Sequence, residues 1–391
     1  MKNCLVVLLV GLCAATVFGD TWTNIGNPTG SFIGISTLSE TQTWLCSSTL
    51  IYFSDGTSLV QRADLSTGLT LALQDICAQS PSNVWAAGYT YSPSPAGGRV
   101  FSFDGNTWTS RLALTNAGEA SQLMGVYAAS TSHVWACGRS QIWATTNGGD
   151  TWFPQYTNTS DATWYSIDGT DESHVWVAGL ESAGTNALVM AFDGAAWTTN
   201  FSRNLDLSPL RDIDAASTND VWAIGGKYGT VIRFRNGGWE VLPALSTNSV
   251  NFCGISRTPC GDTWAAAYGS GLYLRANDAW QLITNLPTSA LRVQASPWHV
   301  FAEDFIYGLY VSRLQPEVDR VGSGIGFTWN SVPGRTYRIE WADDPVAPAW
   351  RAADQILASG WTSCWGDIGD GTTNRPAPAV GSPRIYRLVE P

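Results

Sequence analysis

Few residues in this chain could do chemistry on their own, and only one pair is closely spaced. Cys253 and Cys260 flank a short loop that could close as a local disulfide in an oxidising compartment. A zinc site would need more ligands than this pair and the three histidines provide. His133 and His174 occupy one slot of successive repeats, so we expect them in turns and expect no metal and no cofactor. The sequence leaves the pairing of four further cysteines open: Cys46, Cys77, Cys137 and Cys364.

Acid–base catalysis by two carboxylates cannot be located from the sequence, because acids from different repeats can meet in a cleft without any local signature. Asp104 and Asp193 are poor candidates, since they lie in repeat-equivalent turns where an aspartate caps its own backbone. Whether the chain is an enzyme therefore stays undecided, with a non-enzyme favoured.

A binding site is expected in the loops that differ between repeats, because variable loops on a rigid scaffold carry recognition. Their aromatic and charged side chains would suit a protein or glycan ligand, although ordinary solvated loops are the alternative. The candidate ligand-binding residues are Tyr89, Tyr91, Arg139, Glu181, Lys227, Tyr228, Tyr268, Glu303 and Asp304.

These loops belong to repeats of one sequence motif, roughly A-S-x-S-x-V-W-A-x-G, which occurs seven times at intervals of 37 to 50 residues. Each unit can be divided into four short strands separated by Gly, Asn, Asp and Ser turns. A period of this length with four strands per unit predicts an all-β, seven-bladed β-propeller. The anchors, expected in the core between sheets, are Trp44, Trp85, Trp135, Trp176, Trp222, Trp264 and Phe301. Trp143, Trp164 and Trp298 lie off these positions, so the sequence leaves their exposure open.

The two ends of the repeat array predict how the ring closes. The seventh unit lacks a fourth strand, and the segment Thr21–Ile25 resembles that missing strand. We therefore expect an N-terminal strand to complete the last blade and remove two exposed sheet edges. Residues 316–391 break the period and predict a small β-sandwich, so the expected domains are 1–19, 20–315 and 316–391.

The N-terminus and the charge predict the compartment and exclude some partners. A basic start, an apolar run from Leu5 to Phe18 and a small residue at Gly19 predict a signal peptide, and hence a secreted, cell-surface or periplasmic protein. The formal net charge of −11 argues against nucleic acid as a partner. We expect a monomer.

One turn matches a known pattern closely. The segment from Thr145 to Trp152 fits S/T-x-D/N-x-G-x-x-W through Thr145, Asn147, Gly149 and Trp152. It resembles the Asp-box of the sialidase (bacterial neuraminidase repeat) superfamily, where the box is an architectural hairpin away from the substrate. The resemblance extends over residues 20–315 and implies a sialidase-like, seven-bladed propeller.

The C-terminal segments Phe327–Trp329, Val332–Ile339 and Arg384–Leu388 resemble a terminal β-sandwich module of exported bacterial proteins from the Verrucomicrobia–Planctomycetes group. This resemblance implies surface association and names no ligand.

Sialidase activity itself is not expected, because the early F/Y-R-I-P segment that supplies the family's first arginine is missing. We therefore expect an exported, non-catalytic binding or scaffold propeller for a protein or glycan ligand. One alternative is a carbohydrate-active enzyme, a glycoside hydrolase or lyase, which would show two facing carboxylates at a channel mouth. The other is an assembly factor for a membrane complex, which would show a clustered arginine patch.

Overall fold

A computed structural model describes residues 23–389 of the chain with several gaps. The residues left out between these limits are 27–32, 40, 67, 69, 93–96, 115–121, 158–161, 182–185, 207, 246–250, 258–262, 269–270, 277–278, 284–289, 296–298, 305–308, 314–318, 322–323, 331–335, 343–348, 350, 358–361 and 368–384. The predicted signal segment, Cys260 and Trp298 lie outside the described residues. The secondary structure of the described part is β throughout, and it contains no helix that could cross a membrane.

The described strands form seven four-stranded antiparallel sheets, which are the blades of a β-propeller. Blade 1 consists of β2 (Gly34–Ser39), β3 (Gln42–Ser47), β4 (Leu50–Ser54) and β5 (Leu59–Asp64). Blade 2 consists of β6 (Thr70–Ser80), β7 (Asn83–Ser92), β8 (Gly97–Phe103) and β9 (Trp108–Ala113). Blade 3 consists of β10 (Leu123–Ala128), β11 (Val134–Gly138), β12 (Gln141–Thr145) and β13 (Phe153–Thr157). Blade 4 consists of β14 (Thr163–Asp171), β15 (His174–Leu180), β16 (Ala187–Phe192) and β17 (Trp197–Arg203).

The remaining blades follow the same order. Blade 5 consists of β18 (Leu210–Ser217), β19 (Asp220–Gly225), β20 (Thr230–Arg235) and β21 (Gly238–Val241). Blade 6 consists of β22 (Asn251–Arg257), β23 (Thr263–Tyr268), β24 (Gly271–Ala276) and β25 (Ala279–Ile283). Blade 7 consists of β26 (Ala290–Ala295), β27 (His299–Asp304), β28 (Leu309–Arg313) and the N-terminal strand β1 (Thr23–Gly26).

The predicted closure of the ring is confirmed. Strand β1 pairs antiparallel with β28, with Thr23 opposite Val311 and Asn24 opposite Tyr310. The first and the last strand of the propeller thus share one sheet, which covers an edge that either strand would otherwise expose.

The repeated anchors are core residues, as expected. All seven anchor side chains are at most 5 % exposed. The hydrophobic clusters between neighbouring sheets include six of them: Trp44, Trp85, Trp135, Trp176, Trp222 and Phe301. Two tryptophans at the starts of fourth strands contact the preceding blade: Trp108, the first residue of β9, packs on Trp44, and Trp152, directly before β13, packs on Trp85. Trp143 and Trp164, whose exposure the sequence left open, are both buried. Each belongs to a hydrophobic cluster beside the anchors, so its ring fills the same layer.

The C-terminal part folds into two three-stranded sheets. Contacts divide the chain into one compact unit over Trp22–Ser312 and a second that contains Arg313–Pro391. In the second unit, one sheet has the order β29 (Asp319–Val321), β30 (Gly324–Asn330), β33 (Thr362–Asp367). The other has the order β32 (Arg351–Leu357), β31 (Thr336–Ala342), β34 (Ile385–Val389). Ile339 and Trp341 are buried there, and a sandwich remains our prediction.

Candidate functional site

The loop between the second and third strands of each blade shares one face of the propeller with the connection that enters the next blade. We call this the loop face. In blade 3 the backbone N–H of Arg139 donates to the carbonyl of Gln122, 3.2 Å away at the start of the same blade. The N–H of Ser140 donates to the carbonyl of Ala162, 2.7 Å away at the start of blade 4. The variable loops and the blade entries are therefore side by side.

On the loop face, a cavity of about 310 Å³ lies where blades 3 and 4 meet. We call it the loop-face pocket. Its lining combines aliphatic, amide, hydroxyl, aromatic and oppositely charged groups: Gln122, Met124, Arg139, Thr163, Tyr165, Leu180 and Glu181. Two predicted residues, Arg139 and Glu181, thus line one pocket together with the apolar side chains of Met124 and Leu180.

Local hydrogen bonds order the backbone at Arg139 and the side chain of Glu181. Arg139 forms an isolated β-bridge with Thr163, the first residue of β14. The N–H of Glu181 donates to the carbonyl of Asn186 at 2.9 Å, and the Asn186 amide donates to Glu181 Oε2 at 3.1 Å. Because these bonds close the loop of blade 4 at its base, the Glu181 carboxylate is oriented before any ligand binds.

Arg211 adds a cation–π contact at the rim of the pocket. Its guanidinium carbon lies 4.4 Å from the ring centre of Tyr165. Such a contact restrains both side chains and places a further positive charge near the pocket. One face of the Tyr165 ring is therefore already covered.

The sequence did not predict the residues that come from the first strands. Met124 and Tyr165 lie near the starts of β10 and β14, and Arg211 lies near the start of β18. The strand order could have indicated these residues, because it places the start of each first strand on the same face as the loop between strands two and three.

The other predicted residues lie on the loop face in separate places. Tyr89 and Tyr91 form an edge-to-face pair with ring centres 5.0 Å apart in blade 2, and Tyr91 is exposed. Burial raises the pKa of Tyr89 to about 12. Lys227 lies 5.3 Å from the ring centre of Tyr228 in blade 5. The side chains of Tyr268, Glu303, Asp304 and Cys253 lie outside the described residues.

The hairpin that carries the tyrosine pair is fastened by a buried arginine. Arg99 Nη1 donates to three carbonyl oxygens, those of Gly97, Gly98 and Leu114, at 3.3, 3.0 and 3.0 Å. Burial lowers the pKa of the Arg99 guanidinium. The base of the hairpin is rigid, so Tyr89 is presented on a fixed support.

The first strands surround a central cavity of about 200 Å³ that contains four carboxylates, those of Asp75, Asp168, Asp212 and Asp214. Their oxygens accept backbone N–H groups of the next blade. The shortest of these bonds joins Ala215 N to Asp168 Oδ2 at 2.7 Å. The other three join Val126 N to Asp75, Ile255 N to Asp212, and Arg257 N to Asp214.

These contacts follow the repeat. Asp168 and Asp214 each lie opposite their blade's anchor tryptophan in the strand register, as do Ser36, Cys77 and Ser256. Each of these five groups accepts an N–H from the strand one blade further on. The channel acids thus serve as clamps between blades, because they satisfy edge N–H groups that no strand partner reaches.

Burial and neighbouring carboxylates shift the acid–base behaviour of the channel. Burial raises the pKa of Asp168 to about 7, and it raises that of Asp214 well above its ordinary value. Burial also raises the pKa of the Cys77 thiol to about 12. Within the described part of the chain, no group of three or more His, Cys, Asp or Glu side chains is arranged to hold a metal ion.

The segment that resembles an Asp-box forms a self-contained hairpin turn. Thr145 Oγ1 accepts the N–H of Gly149 at 2.9 Å, and Asn147 Oδ1 accepts the N–H of Thr151 at 3.0 Å. Trp152 packs on the anchor of the preceding blade, with its ring centre 6.2 Å from that of Trp85. Every contact described for this turn is internal or made to a neighbouring blade.

An arginine cluster is present, but it lies within the blades. The guanidinium carbons of Arg233, Arg257 and Arg275 lie 4.8, 5.2 and 5.2 Å from the ring centre of Trp222. Asp220 accepts from Arg233 Nε at 3.0 Å and also contacts Arg257, whose side chain is 7 % exposed. A mostly buried, carboxylate-bound cluster differs from the open arginine patch that an assembly factor would require.

Comparison with known proteins supports the fold. No family model and no curated protein matches the sequence. Among solved structures, YCF48 bound to D1 peptide has a TM-score of 0.57 at 15% identity, over 78% of this chain and 100% of that one. A catalytically inactive virginiamycin B lyase from Staphylococcus aureus, with quinupristin, has a TM-score of 0.60 at 12% identity, over 76% and 99%. The extracellular domain of a putative one-component system from B. thetaiotaomicron has a TM-score of 0.58 at 13% identity, over 90% of this chain and 48% of that one.

Proposed function

We propose that this propeller is an exported binding protein that holds an extended peptide segment of a partner protein in the loop-face pocket. The observation that carries the proposal is the pocket itself. It combines two apolar side chains, Met124 and Leu180, with one positive group, Arg139, and one negative group, Glu181. A peptide supplies matching chemistry, namely an apolar side chain flanked by backbone amides and charges of both signs.

The covered tyrosine favours a peptide over a glycan. Sugar rings bind proteins largely by stacking on open aromatic faces. Tyr165 is the aromatic residue of the pocket, and Arg211 already occupies one of its faces. The same fold holds a peptide in YCF48, which supports the proposal at the level of the scaffold.

Export and the role of the C-terminal unit are part of this proposal. We infer that residues 1–19 are removed as a signal peptide and that residues 316–391 form a separate module that associates with a surface. N-terminal sequencing of protein recovered from outside the cytoplasm should give Asp20 as the first residue. A chain that keeps Met1 would contradict removal of residues 1–19 as a signal peptide.

Binding of mature protein, residues 20–391, to parallel arrays of short peptides and of glycans tests the function. We expect a defined subset of the peptides to bind. Tyr165→Ala should weaken that binding by at least about tenfold, because it removes the aromatic wall and frees Arg211. Arg62→Ala is the matched control, since it removes an exposed cation and a cation–π pair, with Phe53 at 5.0 Å, outside the pocket, and it should change affinity less than about twofold.

The arrays also distinguish the alternatives. Binding to glycans alone would contradict the peptide proposal. So would hydrolysis of a glycan that a single carboxylate substitution abolishes, because that result would make the protein a carbohydrate-active enzyme.

A further inference from the structure

Two turns of the propeller share the local sequence Asn-Gly-Gly but differ in structure. They begin at Asn147 and at Asn236, and they contain the two Asn–Gly pairs of the chain. In an Asn–Gly pair the following backbone nitrogen meets little steric hindrance, because glycine has no side chain. The intrinsic reactivity of the two asparagines is therefore matched, and any difference between them comes from the fold.

Asn147 is held by its turn. Its Oδ1 accepts from Thr145 Oγ1 at 2.9 Å and from the backbone N–H of Thr151 at 3.0 Å. Its Nδ2 donates to Thr151 Oγ1 at 2.9 Å. Rotation of this side chain toward the nitrogen of Gly148 would break all three bonds.

Asn236 lies at an open hairpin tip. It and Gly237 connect β20 to β21, with Arg235 paired to Gly238 across the turn. The φ angles are +51° at Asn236 and +78° at Gly237, the signature of a two-residue hairpin. Asn236 is exposed, and a Cβ placed at Gly237 or Gly238 would meet no atom within 4 Å. Among the described residues, its side-chain amide has no hydrogen-bond partner.

We propose that Asn236–Gly237 is a site of spontaneous deamidation. The backbone nitrogen of Gly237 loses its proton and attacks Cγ of Asn236. The N–Cγ bond forms, the Cγ–Nδ2 bond breaks, and the amide leaves as ammonia, which gives a five-membered succinimide. Water then opens either carbonyl of the ring and yields aspartate or isoaspartate at position 236. No electrons are transferred, and water is the only co-reactant.

The modification affects a contact between blades. Isoaspartate adds one atom to the backbone of a two-residue turn, so the register of β20 with β21 has to change. Trp239 follows directly: its ring centre lies 5.9 Å from that of Phe201 in blade 4, and its Nε1 donates to Asn200 Oδ1. The altered turn therefore weakens the attachment of the outer strand of blade 5 to blade 4.

To test the proposal, the whole mature protein is incubated at mildly alkaline pH. Peptide mapping then separates asparagine, aspartate and isoaspartate at positions 236 and 147. In the native protein, position 236 should deamidate at least about tenfold faster than position 147, because Asn147 first has to break its hydrogen bonds. In urea the two rates should converge. Equal rates in the native protein would overturn the proposal.

A variant of the protected turn supplies the control. Thr151→Val removes the acceptor of Asn147 Nδ2 and should accelerate deamidation at position 147 while leaving position 236 unchanged. If position 147 stays slow in this variant and remains slow in urea, the difference lies in the sequence, and the structural explanation is wrong.

Discussion

Single residues in the channel connect blades by their acceptor oxygens. Asp168 illustrates this role, since its carboxylate accepts Ala215 N–H while burial raises its pKa to about 7. A group whose folded pKa lies above its ordinary value of 3.8 binds its proton more tightly in the folded protein. The stability that the protonated Asp168 carboxyl contributes is therefore fully present below about pH 4 and is lost as the pH rises through 7.

Asp168→Asn should therefore stabilise the protein at pH 8 by about 1–3 kcal/mol, because the amide keeps an acceptor oxygen and carries no charge. Urea unfolding at pH 5 and pH 8 measures the effect, and the pH dependence should be weaker than in the wild type. Asp104→Asn is the control, since backbone hydrogen bonds from Thr107 and Asn106 lower the pKa of this exposed carboxyl. That substitution should instead remove stability that is present above pH 4. A D168N variant as pH-dependent as the wild type would contradict the assignment.

A second residue-scale prediction concerns Asp220. Its carboxylate accepts from Trp222 Nε1 and Arg233 Nε and contacts the mostly buried Arg257. Asp220→Ala should lower the free energy of unfolding by about 2–4 kcal/mol, because it removes the carboxylate that contacts the mostly buried Arg257 guanidinium. Asp150→Ala removes the exposed partner of Arg111 and should cost less than about 0.5 kcal/mol. Equal effects in urea unfolding would show that Asp220 is not a buried partner.

At the scale of elements, the N-terminal strand closes the ring. Among the described strands, β1 is the one that pairs with the outer edge of β28, and its Ile25 also packs on the hydrophobic cluster shared by blades 7 and 1.

A variant that begins at residue 27 should lose at least about 5 °C in Tm, because blade 7 then has three strands and an exposed edge. Circular dichroism during heating measures this change. A synthetic peptide of residues 20–26 should restore the Tm, whereas the same peptide with proline in place of Asn24 should not. An unchanged Tm after truncation would contradict closure by β1.

At the scale of the whole molecule, the hydrophobic clusters of the described residues belong to the propeller. They involve buried side chains from blades 1 to 7 within Trp22–Ser312. The expected boundary near residue 315 therefore predicts that the propeller is an independent folding unit.

Mature protein ending at residue 315 should unfold cooperatively with a Tm within about 3 °C of that of the propeller transition in the full chain. Calorimetry of both forms tests this. Loss of the cooperative transition in the shorter form would show that the two units fold together.

The sequence by itself determined the number of blades, the buried anchors and the ring closure, because these follow from a local sequence motif repeated at intervals of 37 to 50 residues. Trp22, next to β1, was recognisable as part of the missing strand for that reason. The sequence did not determine the loop-face pocket, in which Arg139 and Glu181 meet Tyr165 and Met124 across two blades. Those neighbours are set by the packing of one sheet on the next, and so are the channel clamps. No local pattern encodes which side chains two adjacent blades bring together, so only the tertiary structure could decide it.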